Sequence, residues 1–156
     1  MDLGITGKVA MVAAASKGIG LAVAKRLAAE GCEISICARN EEQLEAAAAE
    51  IGPETRSYVV DVAVPEDIEW WFQQTTEDLG APSILVTNTG GPPAGGALAM
   101  GDDQWQNGID TTLLSLVRMV RLAAPEMQST GWGRIVHITS LVAKEPSPVL
   151  AISSTL

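Results

Sequence analysis

The stretch Val12-Ala-Ala-Ala-Ser-Lys-Gly-Ile-Gly-Leu21 decides the reading of this chain. An apolar run, residues 9–13, precedes it, and a helical pattern, residues 19–30, follows. A glycine-rich turn between a buried strand and a helix lets backbone approach a dinucleotide pyrophosphate, and the helix supplies unpaired N–H groups and the positive end of its dipole. Gly18 and Gly20 give that close approach, and Ala14, Ser16, Lys17 and Ile19 belong to the same candidate turn.

Outward from the turn, apolar runs and helical patterns alternate. Strands are expected at 9–13, 33–38, 56–60, 84–87 and 134–139, and helices at 19–30, 41–51, 65–79 and 103–129. Leu21, Ala24, Leu27 and Ala28 form the inner face of the first helix, and Gly31 stops it. Asn40 is placed to cap the second helix, Gly52-Pro53 ends it, and Pro65 opens the third. Such alternation implies a parallel sheet with both faces covered, an α/β architecture of Rossmann-like, doubly wound type.

Four further segments keep order with the turn: Asp61-Val62, Asn88-Thr-Gly-Gly91, Trp105 with its helix, and Gly133-Arg-Ile-Val-His-Ile-Thr-Ser140. Together they resemble the short-chain dehydrogenase/reductase family. The family's T-G-x-x-x-G-x-G falls on Ala13, Ala14, Gly18 and Gly20, so alanines replace the threonine and the first glycine. Ala14 thereby adds a methyl where backbone and ribose approach. The resemblance implies strand order 3-2-1-4-5, a bound nicotinamide dinucleotide and hydride transfer between it and a carbonyl or alcohol.

The end of the second strand reads Cys37-Ala38-Arg39-Asn40, without the acid that would bond the adenosine ribose hydroxyls of NAD. Arg39 and Lys17 can instead neutralise a 2′-phosphate, which favours NADP(H); the alternative is two ordinary surface cations. Asn88 either satisfies backbone beneath the cofactor or begins a turn. Gly90 leaves space for cofactor or is a loop glycine. Asp61 meets the adenine or caps the next segment.

The family's catalytic set implies a tyrosine as general acid/base, a lysine four residues later, a serine that orients the substrate oxygen and an asparagine in the fourth helix. Ser140 takes the serine position, Thr112 the asparagine position and Ser153 the tyrosine position; the lysine position, 157, lies beyond the last residue. An aliphatic hydroxyl is much less acidic than a phenol, so turnover is in doubt. The one tyrosine, Tyr58, is expected in the third strand at the sheet edge. Asn88 to Pro93, Lys144-Glu-Pro146 and Leu150 to Ser153 resemble a divergent branch of the family that also lacks the tyrosine. Family members continue with another helix, further strands and a substrate lid, so the chain is read as one dinucleotide-binding domain, residues 1–156, truncated inside the Tyr/Lys helix. On that reading the outer edge of the fifth strand and a stripe of Leu113, Leu116, Val117 and Val120 are left uncovered, and the chain is expected to form homo-oligomers through them.

Two other functions compete: a nucleotide-binding or oligomerising module without turnover, and an ester hydrolase using Ser140 or Ser153. The hydrolase needs a base and an oxyanion hole. The single histidine, His137, should face away from Ser140, about 10 Å distant on a strand, and is read as packed beneath a helix. No G-x-S-x-G elbow occurs. Composition narrows the rest. A formal net charge of −9 argues against a nucleic-acid surface, no apolar run is long enough for a membrane span, and Met1-Asp2-Leu3-Gly4 does not resemble a secretory leader. Cys32 and Cys37 sit at an odd offset along one strand, roughly 16 Å apart on opposite faces, and are read as unpaired buried thiols in a reducing cytoplasm. One histidine and two divergent cysteines give no metal-ligand cluster. Trp70, Trp71 and Phe72 spread around the third helix and are read as packing groups, with a substrate platform as the alternative.

Overall fold

The computed structural model describes residues 2–156. Five parallel strands run in the order β3-β2-β1-β4-β5, the order that the resemblance implies. They are β1 (Val9–Val12), β2 (Glu33–Ala38), β3 (Arg56–Val59), β4 (Ile84–Thr87) and β5 (Arg134–His137). Three ended one or two residues short of the expected ranges, where the chain turns into the loops at their C-terminal ends.

The central strands are apolar on both sides because helices cover both faces. On β1, Met11 and Ala13 enter one core with Leu85, while Ala10 and Val12 enter the other with Ile84 and Val86. The second core is closed by α1 (Gly18–Ala29) and α2 (Glu41–Ile51), through Ala24, Leu44 and Ala47. The first is closed by α3 (Pro65–Leu79) and a long helix through Met119, Ala123 and Met127. Cys37 lies in the first core and Cys32 in the second, so the two free thiols do face opposite sides of β2.

Local signals set several boundaries. The Asn40 side chain accepts a hydrogen bond from the Gln43 N–H at 2.8 Å and caps α2. Pro65 occupies the first turn of α3. The three adjacent aromatics of α3 separate as their spacing requires: Trp71 and Phe72 are buried and Trp70 is exposed.

The long helix departs from expectation. It runs as α4 (Asp102–Gly108), a π-helical turn at Ile109–Leu114 and α5 (Ser115–Ser129), rather than as uninterrupted α-helix. Of its expected apolar stripe, Val120 packs against the first core, while Leu113 and Val117 are exposed. The outer edge of β5 pairs with no strand among the described residues, and Val136 is exposed there. His137 is exposed as well, instead of packed beneath a helix, and its ring is turned to Thr87 on the neighbouring strand. A short helix α6 (Ala151–Thr155) follows, and no described helix is long and apolar enough to cross a membrane.

One polar cluster lies inside the first core. Trp71 Nε1–H donates to Ser35 Oγ at 2.8 Å, and Ser35 Oγ is 2.7 Å from Thr75 Oγ1. All three residues are fully buried, so β2 and α3 are joined by bonds that no solvent can replace. Ser35→Ala leaves the indole N–H without an acceptor and should cost about 1–3 kcal/mol in urea unfolding, without changing the far-ultraviolet circular dichroism of the folded chain.

Candidate cofactor cavity

A cavity of about 620 Å³ opens where the C-terminal ends of β1, β2, β3 and β4 meet the first turn of α1. Its size falls within the usual range of about 300–1,000 Å³ for small-molecule and cofactor sites. The place follows from topology. The connections from β1 lead to one face and those from β4 to the other, so the loops part and leave a crevice at the strand ends.

The glycine turn forms its floor. Gly18 has φ +60°, a left-handed conformation that suits glycine. Gly20 is buried behind the wall rather than lining it. A methyl there would stand 2.6 Å from the Ala14 carbonyl oxygen, 2.9 Å from Ala15 Cα and 3.0 Å from Asn88 Nδ2. The helix therefore approaches the strand end more closely than any side chain allows. Ala14 has φ +49°, the one non-glycine residue with positive φ among those described. Its methyl is a steric burden, as the sequence indicates, and its backbone conformation is strained too, which the sequence alone does not display.

Asn88, at the end of β4, donates from Nδ2 to the Ala14 carbonyl at 3.2 Å. It satisfies backbone beneath the cavity and fastens β4 to the turn after β1. Asp61 is a capping group: its Oδ1 accepts from the Ala63 N–H at 3.0 Å, and its own N–H donates to Asp67 Oδ2 at 2.9 Å. Its Oδ2 lies 3.9 Å from the Arg39 guanidinium.

Of the candidate cofactor residues, Ala14, Ser16, Lys17, Gly18, Ile19, Arg39, Asp61, Val62, Asn88 and Gly90 line this one cavity. Gly90 has open space where a side chain would stand. The sequence reading missed Gln43, Asn107 and Thr111, which also line it. Asn107 and Thr111 are one helical turn apart, and Thr111 Oγ1 donates to the Asn107 carbonyl at 2.7 Å. That i, i+4 polar pair was the available signal.

The candidate catalytic residues are placed elsewhere. Thr112 is in the π-helical turn beside Thr111, and its buried Oγ1 has no hydrogen-bond partner. Ser140 caps a single 3₁₀ turn, Leu141–Ala143, its Oγ accepting from the Val142 N–H at 3.4 Å. Ser153 lies on α6, which is held by Ile152 against Gly108 and by the pairing of Gly95 with Leu150. None of the three lines the cavity. His137 Nδ1 is 2.8 Å from Thr87 Oγ1, and no hydrogen bond joins it to Ser140 or Ser153.

Comparison with known proteins agrees with this architecture. The family model for short chain dehydrogenase matches residues 8–155. The chain belongs to the short-chain dehydrogenase family. It is 31% identical over 142 residues to the 3-oxoacyl-[acyl-carrier-protein] reductase of Haemophilus influenzae, covering 91% of this chain and 59% of that protein. It is 32% identical over 136 residues to the Escherichia coli reductase of the same name, covering 87% of this chain and 56% of that one. Among solved structures, L-sorbose reductase from Gluconobacter frateurii, complexed with NADPH and L-sorbose, superposes with a TM-score of 0.94 at 33% identity, over 99% of this chain and 60% of that one. An NAD+-bound xylitol dehydrogenase superposes at 0.89 with 30% identity, over 97% of this chain and 60% of that one. The chain thus spans little more than half the length of these family members.

Two predictions concern the cavity floor. Ala14→Gly and Gly20→Ala should move stability in opposite directions. The first relieves a left-handed alanine and should gain about 0.5–1 kcal/mol after the entropy cost of glycine. The second forces a methyl against backbone and should lose about 1–3 kcal/mol. Urea unfolding of both variants checks this. The second prediction concerns Cys37, whose buried thiol borders the cavity. Burial pushes it up to about 12, against a smaller downward pull from a hydrogen bond with the Ala14 backbone. Between the ordinary value of 9.0 and about 12 the folded chain binds more protons than the unfolded one. The resulting stability is complete below pH 9 and is lost as pH rises through that window. At pH 8, iodoacetamide should modify Cys37 in urea and leave it unmodified in the folded chain, as read by mass spectrometry.

Proposed function

We propose that this chain is the NADP(H)-holding part of a short-chain oxidoreductase. The observation that carries the reading is the composition of the cavity's adenosine end: Arg39 and Lys17 border it, and β2 ends without a carboxylate. Arg39 keeps its guanidinium largely exposed, with 73% of the side chain accessible, and can present a fork of donors to a phosphate. Two NADPH-bound neighbours support the reading, the L-sorbose reductase and an actinorhodin polyketide ketoreductase with a TM-score of 0.90.

The floor fits a dinucleotide on structural grounds. Gly18 and the start of α1 bring backbone N–H groups to the mouth, and the close seat of Gly20 leaves no side chain between helix and strand. Asn88 and Asp61 hold their turns through backbone bonds and keep the walls apart. Bound NADPH would supply a hydride to a carbonyl. Against that reaction stands the proton donor: Ser153 holds the position that the sequence assigns to the family's tyrosine, and an aliphatic hydroxyl is a weak acid. We therefore infer dinucleotide binding with little or no carbonyl reduction by these residues alone. Neither the position of His137 nor that of the two serines favours ester hydrolysis.

Calorimetric titration tests the reading. NADPH should bind more tightly than NADH, and Arg39→Ala should weaken NADPH about 10- to 100-fold while changing NADH less than threefold, as expected for loss of one charge-assisted fork at a phosphate. Equal loss for both dinucleotides would refute the assignment of Arg39 to the 2′-phosphate.

A further inference from the structure

Asp61 is built into the cavity wall as a fixed negative charge beside the cation that would meet the 2′-phosphate. Its carboxylate cannot turn away freely. Oδ1 is bound to the Ala63 N–H at 3.0 Å, and the Asp61 N–H is held by Asp67 at 2.9 Å. The same turn is gripped by the helix beside α3. Arg118, on α5, donates to the Ala63 carbonyl at 3.0 Å and pairs with Asp110 at 3.1 Å. Gln106 completes the chain by donating to Asp110 at 2.9 Å. Hydrogen bonds from Gln106 and Arg118 hold the Asp110 carboxyl below the usual carboxylate range, so this anchor stays charged at neutral pH. What remains free is Oδ2, 3.9 Å from the Arg39 guanidinium.

From this we propose that Asp61 determines cofactor specificity, by competing with the 2′-phosphate for Arg39 and so limiting the preference for NADP over NAD. The proposal rests on the cofactor reading above. Its physics is a charge balance. The charges around Arg39 are Asp61 on the turn after β3, Lys17 lining the same cavity, Asp67 in the first turn of α3, which bonds the Asp61 N–H, and Glu41 and Glu42 in the first turn of α2, which follows Arg39 in the chain. A phosphate with nearly two negative charges enters this setting only by drawing Arg39 from Asp61 and by tolerating the carboxylate that stays behind. A dinucleotide without the phosphate leaves the Arg39–Asp61 pair intact.

The test is calorimetric titration of NADPH and NADH into the 156-residue chain, wild type, Asp61→Asn and Asp61→Ser. Both replacements keep an oxygen that can accept from the Ala63 N–H and so preserve the turn. The readout is the ratio of the two dissociation constants, which cancels any loss of adenine contact common to both ligands. Removing one charge at this range should raise the preference for NADPH about five- to tenfold, and the gain should shrink as salt is raised. In the Arg39→Ala background the same replacements should change the ratio less than twofold. An unchanged or lowered ratio with Arg39 present overturns the proposal while leaving the cofactor reading intact. Failure of the wild-type chain to bind either dinucleotide overturns both.

Discussion

The approach of α1 to the end of β1 governs the arrangement of this chain. At Gly20 the helix comes so near the Ala14 carbonyl that a methyl would lie 2.6 Å from it. That proximity sets where α1 starts, and so which backbone N–H groups face the crevice. It also leaves the Ala14 carbonyl directed at β4, where Asn88 reaches it. One steric condition thus joins three elements: the strand that enters the turn, the helix that leaves it and the neighbouring strand that forms the opposite wall. The strain of Ala14 belongs to the same condition, since the chain reverses there whether or not glycine is present.

The other walls are held by polar groups instead of close packing. Arg118 crosses from α5 to the turn after β3, Asn88 crosses from β4 to the turn after β1, and Asp67 reaches back from α3 to the end of β3. Each tie satisfies a backbone group at a strand end, where the ladder has stopped and a buried carbonyl or N–H would otherwise be costly. The crevice is therefore preformed. Its shape rests on bonds within the protein that form without a ligand, which lowers the ordering cost of binding.

Much of this was legible in the sequence because the signals are local. Asn40 before Glu41-Glu42-Gln43, Pro65 at a helix start and largely apolar strands gave β2, α2, α3 and β4 with their observed limits. Strand order came from the family resemblance. The unread parts depend on contacts between distant residues. The π-helical turn follows no pattern of period 3.6, and the strands at the ends of the sheet stop where neighbouring loops diverge. Positive φ at Ala14 is invisible in a residue that ordinarily avoids it. The exposure of His137 is set by which elements cover β5, and the Arg39–Asp61 pair exists only because β2 and β3 are adjacent and in register.

The two ends of the candidate site also differ in kind. The dinucleotide end is made of turns that leave sheet strands directly, so its groups inherit the rigidity of β1, β2, β3 and β4. Ser140 and Ser153 lie on a 3₁₀ turn and a five-residue helix, joined to the body by the Gly95–Leu150 bridge and the packing of Ile152 on Gly108. A short helix has too few internal hydrogen bonds to hold its own geometry and depends on such contacts. Proton transfer needs a donor held within hydrogen-bond reach of the reacting oxygen, so the placing of any such donor at the second end depends on those few contacts. The two ends of one fold are therefore unequally supported: one is fixed by the sheet itself, the other by two contacts of a short segment.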